Sequence, residues 1–142
     1  MRILVVDDEE SILVPLEFLL KKAGHEVVLA RTGEEALEAL SRGAFDLMVL
    51  DLMLPGMDGF AVLERAKALS QRPKVLVLTA RGREADRAKA LALGAEAFMA
   101  KPFGIQDLLS QVEELAGRGV LSSWETAARS SSLAWSRAFR RS

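Results

Sequence analysis

Five short apolar runs stand along the chain without polar alternation: Ile3 to Val6, Val27 to Ala30, Leu47 to Leu50, Val75 to Leu78 and Ala97 to Ala100. A strand with one wet face alternates, so an unbroken run signals a strand covered on both faces, as in a parallel sheet. Between the runs, apolar positions fall at helical spacing: Ile12, Leu16, Leu19 and Leu20, then Ala36, Leu37 and Leu40, then Phe60, Leu63 and Ala66. Residues 105 to 116 predict a last amphipathic helix, with Ile105, Leu108, Leu109, Val112 and Leu115 on one side. Punctuation agrees, because Thr32 with Glu35 has the spacing of a capping box, Gly24 and Gly43 follow helical segments, and Pro55-Gly56 with Asp58-Gly59 marks a loop. Parallel strands need crossover helices, and right-handed crossovers put helices on both faces of an open sheet. The expected fold is a doubly wound α/β domain of five parallel strands.

Composition narrows the chemistry. The 142 residues suit one domain, and 50% hydrophobic with 27% charged residues is ordinary globular usage. A formal charge of −1 gives no global reason to hold nucleic acid or an anionic membrane. The absence of cysteine excludes disulfides, thiolate nucleophiles and the common zinc fingers, and it suits a reducing cytoplasm. His25, the single histidine, follows Gly24 and is expected as a solvent-facing loop residue. The apolar start from Met1 to Val6 is too short for a signal peptide or a membrane span, which points to a soluble cytoplasmic protein.

In a parallel doubly wound sheet, ligands bind at the carboxyl ends of the strands. Those ends carry Asp7 and Asp8 after the first run, Asp51 after the third, Thr79 after the fourth and Lys101 after the fifth. Taken singly, an acid or threonine at a strand end is often a helix cap, and a lysine is ordinary surface charge. Together they are three carboxylates, a hydroxyl and an ammonium converging on one edge. Three close carboxylates repel unless a cation sits among them, and oxygen ligands without His or Cys select Mg2+ or Mn2+ over zinc or copper, with Mg2+ commonly keeping waters and phosphate oxygens in its shell. Lys101 and Thr79 suit phosphate oxygens, and Asp51 on the middle strand is the candidate nucleophile for an aspartyl phosphate.

The sequences Ile3-Leu4-Val5-Val6-Asp7-Asp8-Glu9, Asp51-Leu52-Met53-Leu54-Pro55-Gly56-Met57-Asp58-Gly59, Leu78-Thr79-Ala80-Arg81 and Ala100-Lys101-Pro102-Phe103 resemble the receiver domain of two-component response regulators, over residues 1 to 118. The resemblance implies a CheY-like, flavodoxin-like strand order of 2-1-3-4-5. It implies that Asp51 accepts a phosphoryl group from a sensor histidine kinase, with Mg2+ bound by Asp7, Asp8, Asp51 and the backbone carbonyl of Met53. It further implies that Thr79 and Phe98 switch together and reshape the face made by the fourth helix, fifth strand and fifth helix, and that Lys101-Pro102 is a cis peptide.

Within that family, Met53, Leu54-Pro55-Gly56 and Arg81 are most similar to the OmpR/PhoB-like subclass. Relatives of that kind pair through acids where this chain has Glu96 and Ala97, and through an arginine where it has Gln111. A homodimer of weak or non-standard geometry is therefore expected. Met53 and Arg81 flank the site without groups that orient water, so the phosphoryl group is expected to persist for minutes or longer. The Ser/Ala/Arg-rich stretch 119–142, with Trp124 and Trp135, is expected to be a tail, with an extra helix started by Ser122 and Glu125 as one reading. It is too short for a DNA-reading domain, so no direct DNA binding and no membrane contact are expected. Two alternatives remain: a Mg2+-dependent phosphatase with an aspartyl nucleophile, or a receiver-like binding module that is not phosphorylated. Position 53 bears on the first, because such phosphatases need an acid two residues past the nucleophile.

Overall fold

The computed structural model describes residues 1–80 and 82–116. Its elements follow in strict alternation: β1 (Arg2–Val6), α1 (Glu10–Lys22), β2 (Glu26–Ala30), α2 (Gly33–Arg42), β3 (Leu47–Leu50), α3 (Gly59–Lys67), β4 (Lys74–Thr79), α4 (Glu84–Ala92) and β5 (Ala97–Ala100). A fifth helix, α5, runs over 105–116. The strands form one parallel sheet in the order β2-β1-β3-β4-β5, the flavodoxin-like arrangement expected from the resemblance. Arg81 and the expectations for 119–142 lie outside the described residues.

The unbroken apolar runs are explained by two cores. Alternate residues of each strand go to opposite faces. Leu4, Val6, Met48, Leu50, Val75 and Val77 pack with Ala36, Phe60, Leu63 and Ala90 of α2, α3 and α4. Ile3, Val5, Leu47, Val49, Leu76 and Leu78 pack with Leu13, Leu16, Leu20, Leu108 and Val112 of α1 and α5. Most of these side chains have no exposed surface. At roughly 1.5–3 kcal/mol for each fully buried aliphatic side chain, the two cores supply most of the drive to fold.

The helix ends are built locally. Gly24 has φ +99° and closes α1, its N–H donating to Lys21 O at 3.0 Å while the His25 N–H donates to Leu20 O at 3.1 Å. Gly94, at φ +107°, closes α4 with the same pair of bonds, to Leu91 O and from the Ala95 N–H to Ala90 O. This left-handed cap satisfies the last carbonyls and delivers the chain directly into β2 and β5. Gly43 is different, since its extended φ of −178° ends α2 without such a cap. Only half of the expected capping box forms: Thr32 Oγ1 accepts from the Glu35 N–H at 3.1 Å, whereas the Glu35 carboxylate accepts from the Arg31 N–H at 2.7 Å instead of from the cap residue itself.

Two local features are decided by tertiary packing. Pro15 lies inside α1, where it removes one backbone donor, yet it sits on the exposed side and the apolar face beneath it carries the helix through. His25 is not a solvent-facing loop residue. Its side chain is 10% exposed, with Nε2 3.1 Å from Glu113 Oε2 on α5 and Nδ1 3.2 Å from the amino terminus. The cause is that α1 and α5 pack on the same sheet face, so the residue leaving the α1 cap meets α5. No helix among the described residues is long and apolar enough to cross a membrane.

Candidate functional site

The sheet ladder continues one residue past the strands and sets the site. Val6 and Leu50 are register partners, and the Asp51 N–H donates to Val6 O at 2.9 Å, so Asp7 and Asp51 emerge side by side. The Asp7 N–H donates to Ala30 O at 3.0 Å, and the Lys101 N–H to Thr79 O at 2.8 Å. Rigid backbone thus aims each candidate side chain.

Asp7 and Asp51 are held by the same device. Asp7 Oδ1 accepts from the Glu9 N–H at 2.9 Å, and Asp51 Oδ1 accepts from the Met53 N–H at 2.9 Å. Each carboxylate therefore has one oxygen pinned by the backbone two residues on, and the other turned toward Lys101. Lys101 Nζ lies 2.9 Å from Asp51 Oδ2 and 2.9 Å from Asp7 Oδ2, and it also donates to Glu9 Oε1. Asp7 and Asp51 are buried and Asp8 is exposed, yet carboxylate oxygens of the three lie within 4.8 Å of one another.

The charge balance is unequal. Burial pushes the Asp7 carboxyl above its ordinary value; the Glu9 N–H and the Lys101 ammonium pull it down without prevailing, and the Asp51 charge adds to the rise. For Lys101, burial works against the charged form, but its bonds to Glu9, Asp51 and Asp7 outweigh burial and hold it above the ordinary lysine range. Asp7 Oδ2 is sealed from solvent and faces the Lys101 ammonium at 2.9 Å as an ion pair. Three carboxylates this close, with one ammonium among them and no His or Cys, fit a hard divalent cation such as Mg2+.

The pKa direction gives a stability prediction. A carboxyl raised on folding contributes stability that is fully present below its unfolded value near 3.8 and is lost as pH rises through the higher folded value. At pH 7 the metal-free protein therefore carries Asp7 as a cost. Asp7→Asn keeps an oxygen for the Glu9 N–H and removes that cost. We expect a higher urea midpoint at pH 7 without metal, no gain at pH 3, and at least about tenfold weaker Mg2+ binding, as for the loss of one ionic ligand. A lower midpoint at pH 7 would contradict this.

The remaining expected residues fall around the cluster. Thr79 is the buried last residue of β4, two residues past Val77, the register partner of Leu50 on β3. Phe98 pairs with Val77 on the neighbouring strand and packs, half-buried, against the core under α3 and α4. By strand alternation Thr79 shares that face. Met53 stands in the loop just past Asp51, with its side chain 52% exposed. The Lys101-Pro102 peptide is cis. Glu9 is the functional residue that sequence reasoning missed. It sat inside the Asp7-Asp8-Glu9 run, but its role, as the third carboxylate on Lys101, depends on a partner from the far end of the domain. A shallow cavity of about 420 Å³ opens beside this cluster, lined by Glu9, Ile12, Ala80, Lys101, Pro102 and Phe103.

Comparison with known proteins points to one family. Residues 3–113 match the model of the response regulator receiver domain. The sensory transduction protein RegX3 of Mycobacterium tuberculosis is 40% identical over 117 residues, covering 82% of this chain and 51% of that protein. Regulators of the OmpR/PhoB kind are among the relatives matched, and the chain spans about half the length of these curated proteins. A CheY-like receiver domain protein from Methanospirillum hungatei superposes with a TM-score of 0.77 at 34% identity, over 83% of this chain and 95% of that one. The receiver domain of the sensor histidine kinase PA1611 from Pseudomonas aeruginosa, solved with a magnesium ion coordinated in its active-site cleft, gives 0.73 at 28% identity over 82% and 97%.

Proposed function

The chain belongs to the response regulator receiver family, and on that premise we propose that Asp51 accepts a phosphoryl group from the phosphohistidine of a sensor histidine kinase. The observation that carries this is the aim of Asp51: one oxygen held by the Met53 N–H, the other facing Lys101, with Asp7 and Asp8 alongside. An Asp51 oxygen attacks phosphorus and the P–N bond breaks, its electron pair returning to the ring nitrogen; the ring, protonated on its other nitrogen, leaves as neutral imidazole. Asp7, Asp8, Asp51 and the Met53 carbonyl would hold Mg2+. When bound, the ion neutralises charge on the transferring oxygens and on the carboxylates. Lys101 moves from Asp51 Oδ2 to a phosphoryl oxygen, and Glu9 keeps its ammonium within reach. The Thr79 hydroxyl donates to a second phosphoryl oxygen, and Phe98 follows it inward, which shifts the population of the α4–β5–α5 face.

Beryllofluoride with Mg2+ tests the switch. Hydrogen exchange should change across α4, β5 and α5 on titration, and Thr79→Ala should remove most of that change while leaving binding of the mimic. An unaltered exchange pattern would favour a receiver-like binding module that is not switched by phosphate. The phosphatase reading is disfavoured by position 53, where only the backbone N–H of an exposed methionine touches Asp51 and no carboxyl is available as general acid. Sustained Asp51-dependent hydrolysis of phosphomonoesters would restore it.

The switched face should pair weakly. Glu96 is already committed within the chain: its carboxylate accepts from Lys67 Nζ at 2.9 Å and from the Val75 N–H at 2.7 Å. Ala97 and Gln111 add no charge. With exposed ion pairs worth about 0.2–1 kcal/mol each, losing several weakens a homodimer without touching phosphoryl transfer. Sizing at micromolar concentration should show mostly monomer even with the phosphate mimic. A tight mimic-dependent dimer would contradict this.

A further inference from the structure

The five methionines are not equivalent. Met48 is fully buried, and Met1, Met57 and Met99 are partly buried against the two cores. Met53 alone among them is a large exposed apolar side chain, at 52%, and it stands two residues past Asp51 with its N–H on Asp51 Oδ1. An accessible thioether is a target for hydroperoxides, whereas one sealed in a core is protected. We propose that Met53 is a redox modification site, oxidised to the sulfoxide by hydroperoxides, and that this oxidation shortens the life of the phosphoryl group on Asp51. The second half rests on the phosphoacceptor reading.

The step needs no oxidant besides the hydroperoxide, and the Met53 sulfur is the reductant. The Met53 sulfur attacks the terminal peroxide oxygen, an S–O bond forms as the O–O bond breaks, and the proton on the transferred oxygen passes to the departing oxygen, which leaves as water or an alcohol. Sulfur loses two electrons and the peroxide gains them. Sulfoxide reductases reverse the change. Before oxidation, the exposed thioether is only a weak acceptor, poorly suited to organising water. Afterwards it carries a strongly accepting oxygen on a flexible arm anchored two residues from the phosphoryl group. Such a group can hold a water by its hydrogen and direct it at phosphorus, which is the role of a water-positioning residue in phosphoryl transfer. Because the side chain is exposed, the added polarity disturbs no core packing.

Dilute hydrogen peroxide followed by peptide mass mapping tests the first half and needs no phosphate. A gain of about 16 Da, one oxygen, should appear on the Met53 peptide before any other methionine. The reduced and oxidised proteins are then loaded with a small acyl phosphate and Mg2+, and loss of the adduct is followed. The half-life should fall about fivefold on oxidation, well below the roughly hundredfold of a firmly positioned proton-transfer group. Methionine sulfoxide reductase should restore it. Met53→Leu should make the half-life insensitive to peroxide, and Met53→Gln, which carries an accepting oxygen permanently, should shorten it without peroxide. Earlier oxidation at another methionine, or equal half-lives in the two forms, would overturn the proposal. Failure of the reduced protein to take up phosphate at all would instead overturn the phosphoacceptor reading, and the peptide map would still report on Met53.

Discussion

Lys101→Met is expected to lower metal-free stability at pH 7 by about 3–5 kcal/mol, the usual consequence of removing one partner from a buried ionic cluster. Lys101 Nζ lies within 2.9 Å of both buried carboxylates, so its loss leaves Asp7 and Asp51 facing each other with Asp8 close by. Proton uptake by one of them offsets part of the penalty. Mg2+ should offset more, so the gain in urea midpoint on adding Mg2+ should be larger for the variant than for the native chain. Phosphorylation of Asp51 should slow by about 10²–10³, the effect of removing one preorganised donor from developing charge. The two readouts separate the roles of Lys101. An unchanged metal-free midpoint would mean that its ammonium does not neutralise the cluster, and an unchanged phosphorylation rate would mean that it does not touch the phosphoryl group.

The other large effect concerns a residue with no side chain. A Cβ added at Gly59 would lie 2.4 Å from Leu52 Cα and 2.7 Å from the carbonyl oxygens of Asp51 and Leu52. All three are backbone atoms of the segment that carries the nucleophile, and the Gly59 N–H donates to Leu52 O at 3.1 Å. The start of α3, capped by Asp58 Oδ1 accepting from the Phe60 N–H, is thus seated directly on the turn after β3. Relief of the clash requires backbone movement, so Gly59→Ala should cost about 3 kcal/mol or more, at the upper end of overpacking effects. It should also slow phosphorylation in whatever fraction still folds, because the Met53 N–H that holds Asp51 Oδ1 belongs to the same turn. Gly104→Ala is the control. There the nearest atom is the carboxylate end of Asp107, 3.1 Å away, which can swing aside. Denaturant melts of both variants check this, and a Gly59→Ala midpoint equal to that of Gly104→Ala would contradict it.

What the sequence showed and what it concealed divide along physical lines. Leu47 to Leu50 was readable as a strand to the residue, because burial on both faces leaves a run with no polar interruption, and Ala97 to Ala100 was equally readable although this edge strand is only partly buried. β1, β2 and β4 each begin one residue earlier than their apolar runs, on Arg2, Glu26 and Lys74, and β4 also takes in Thr79. Charged and polar residues at strand ends reach solvent or the site while their backbone stays in the ladder. Hydropathy alone passes over them. Strand order came from the family resemblance, since periodicity carries no information on which strands are neighbours.

The site was legible for a related reason. Topology brings every strand's carboxyl end to one edge, so Asp7, Asp8, Asp51, Thr79 and Lys101 could be placed together once the strands were known. The hidden parts all depend on partners distant in sequence. Glu9 meets Lys101, His25 meets Glu113, and Glu96 meets Lys67, each across a different pair of elements. Local spacing says nothing about such pairs. Pro15, a helix breaker by local rule, is outweighed by Leu13, Leu16 and Leu20 buried beneath it, and the helical spacing across it was the better guide.

The central claim is that Asp51 is a phosphoacceptor, and mass spectrometry reads it directly. After incubation with a small acyl phosphate and Mg2+, the native protein should gain a single adduct of about 80 Da, one phosphoryl unit, mapping to the peptide that contains Asp51. The adduct should vanish with a chelator or with Asp51→Asn. No adduct on the native chain, or an adduct of that mass persisting in Asp51→Asn, would contradict the account.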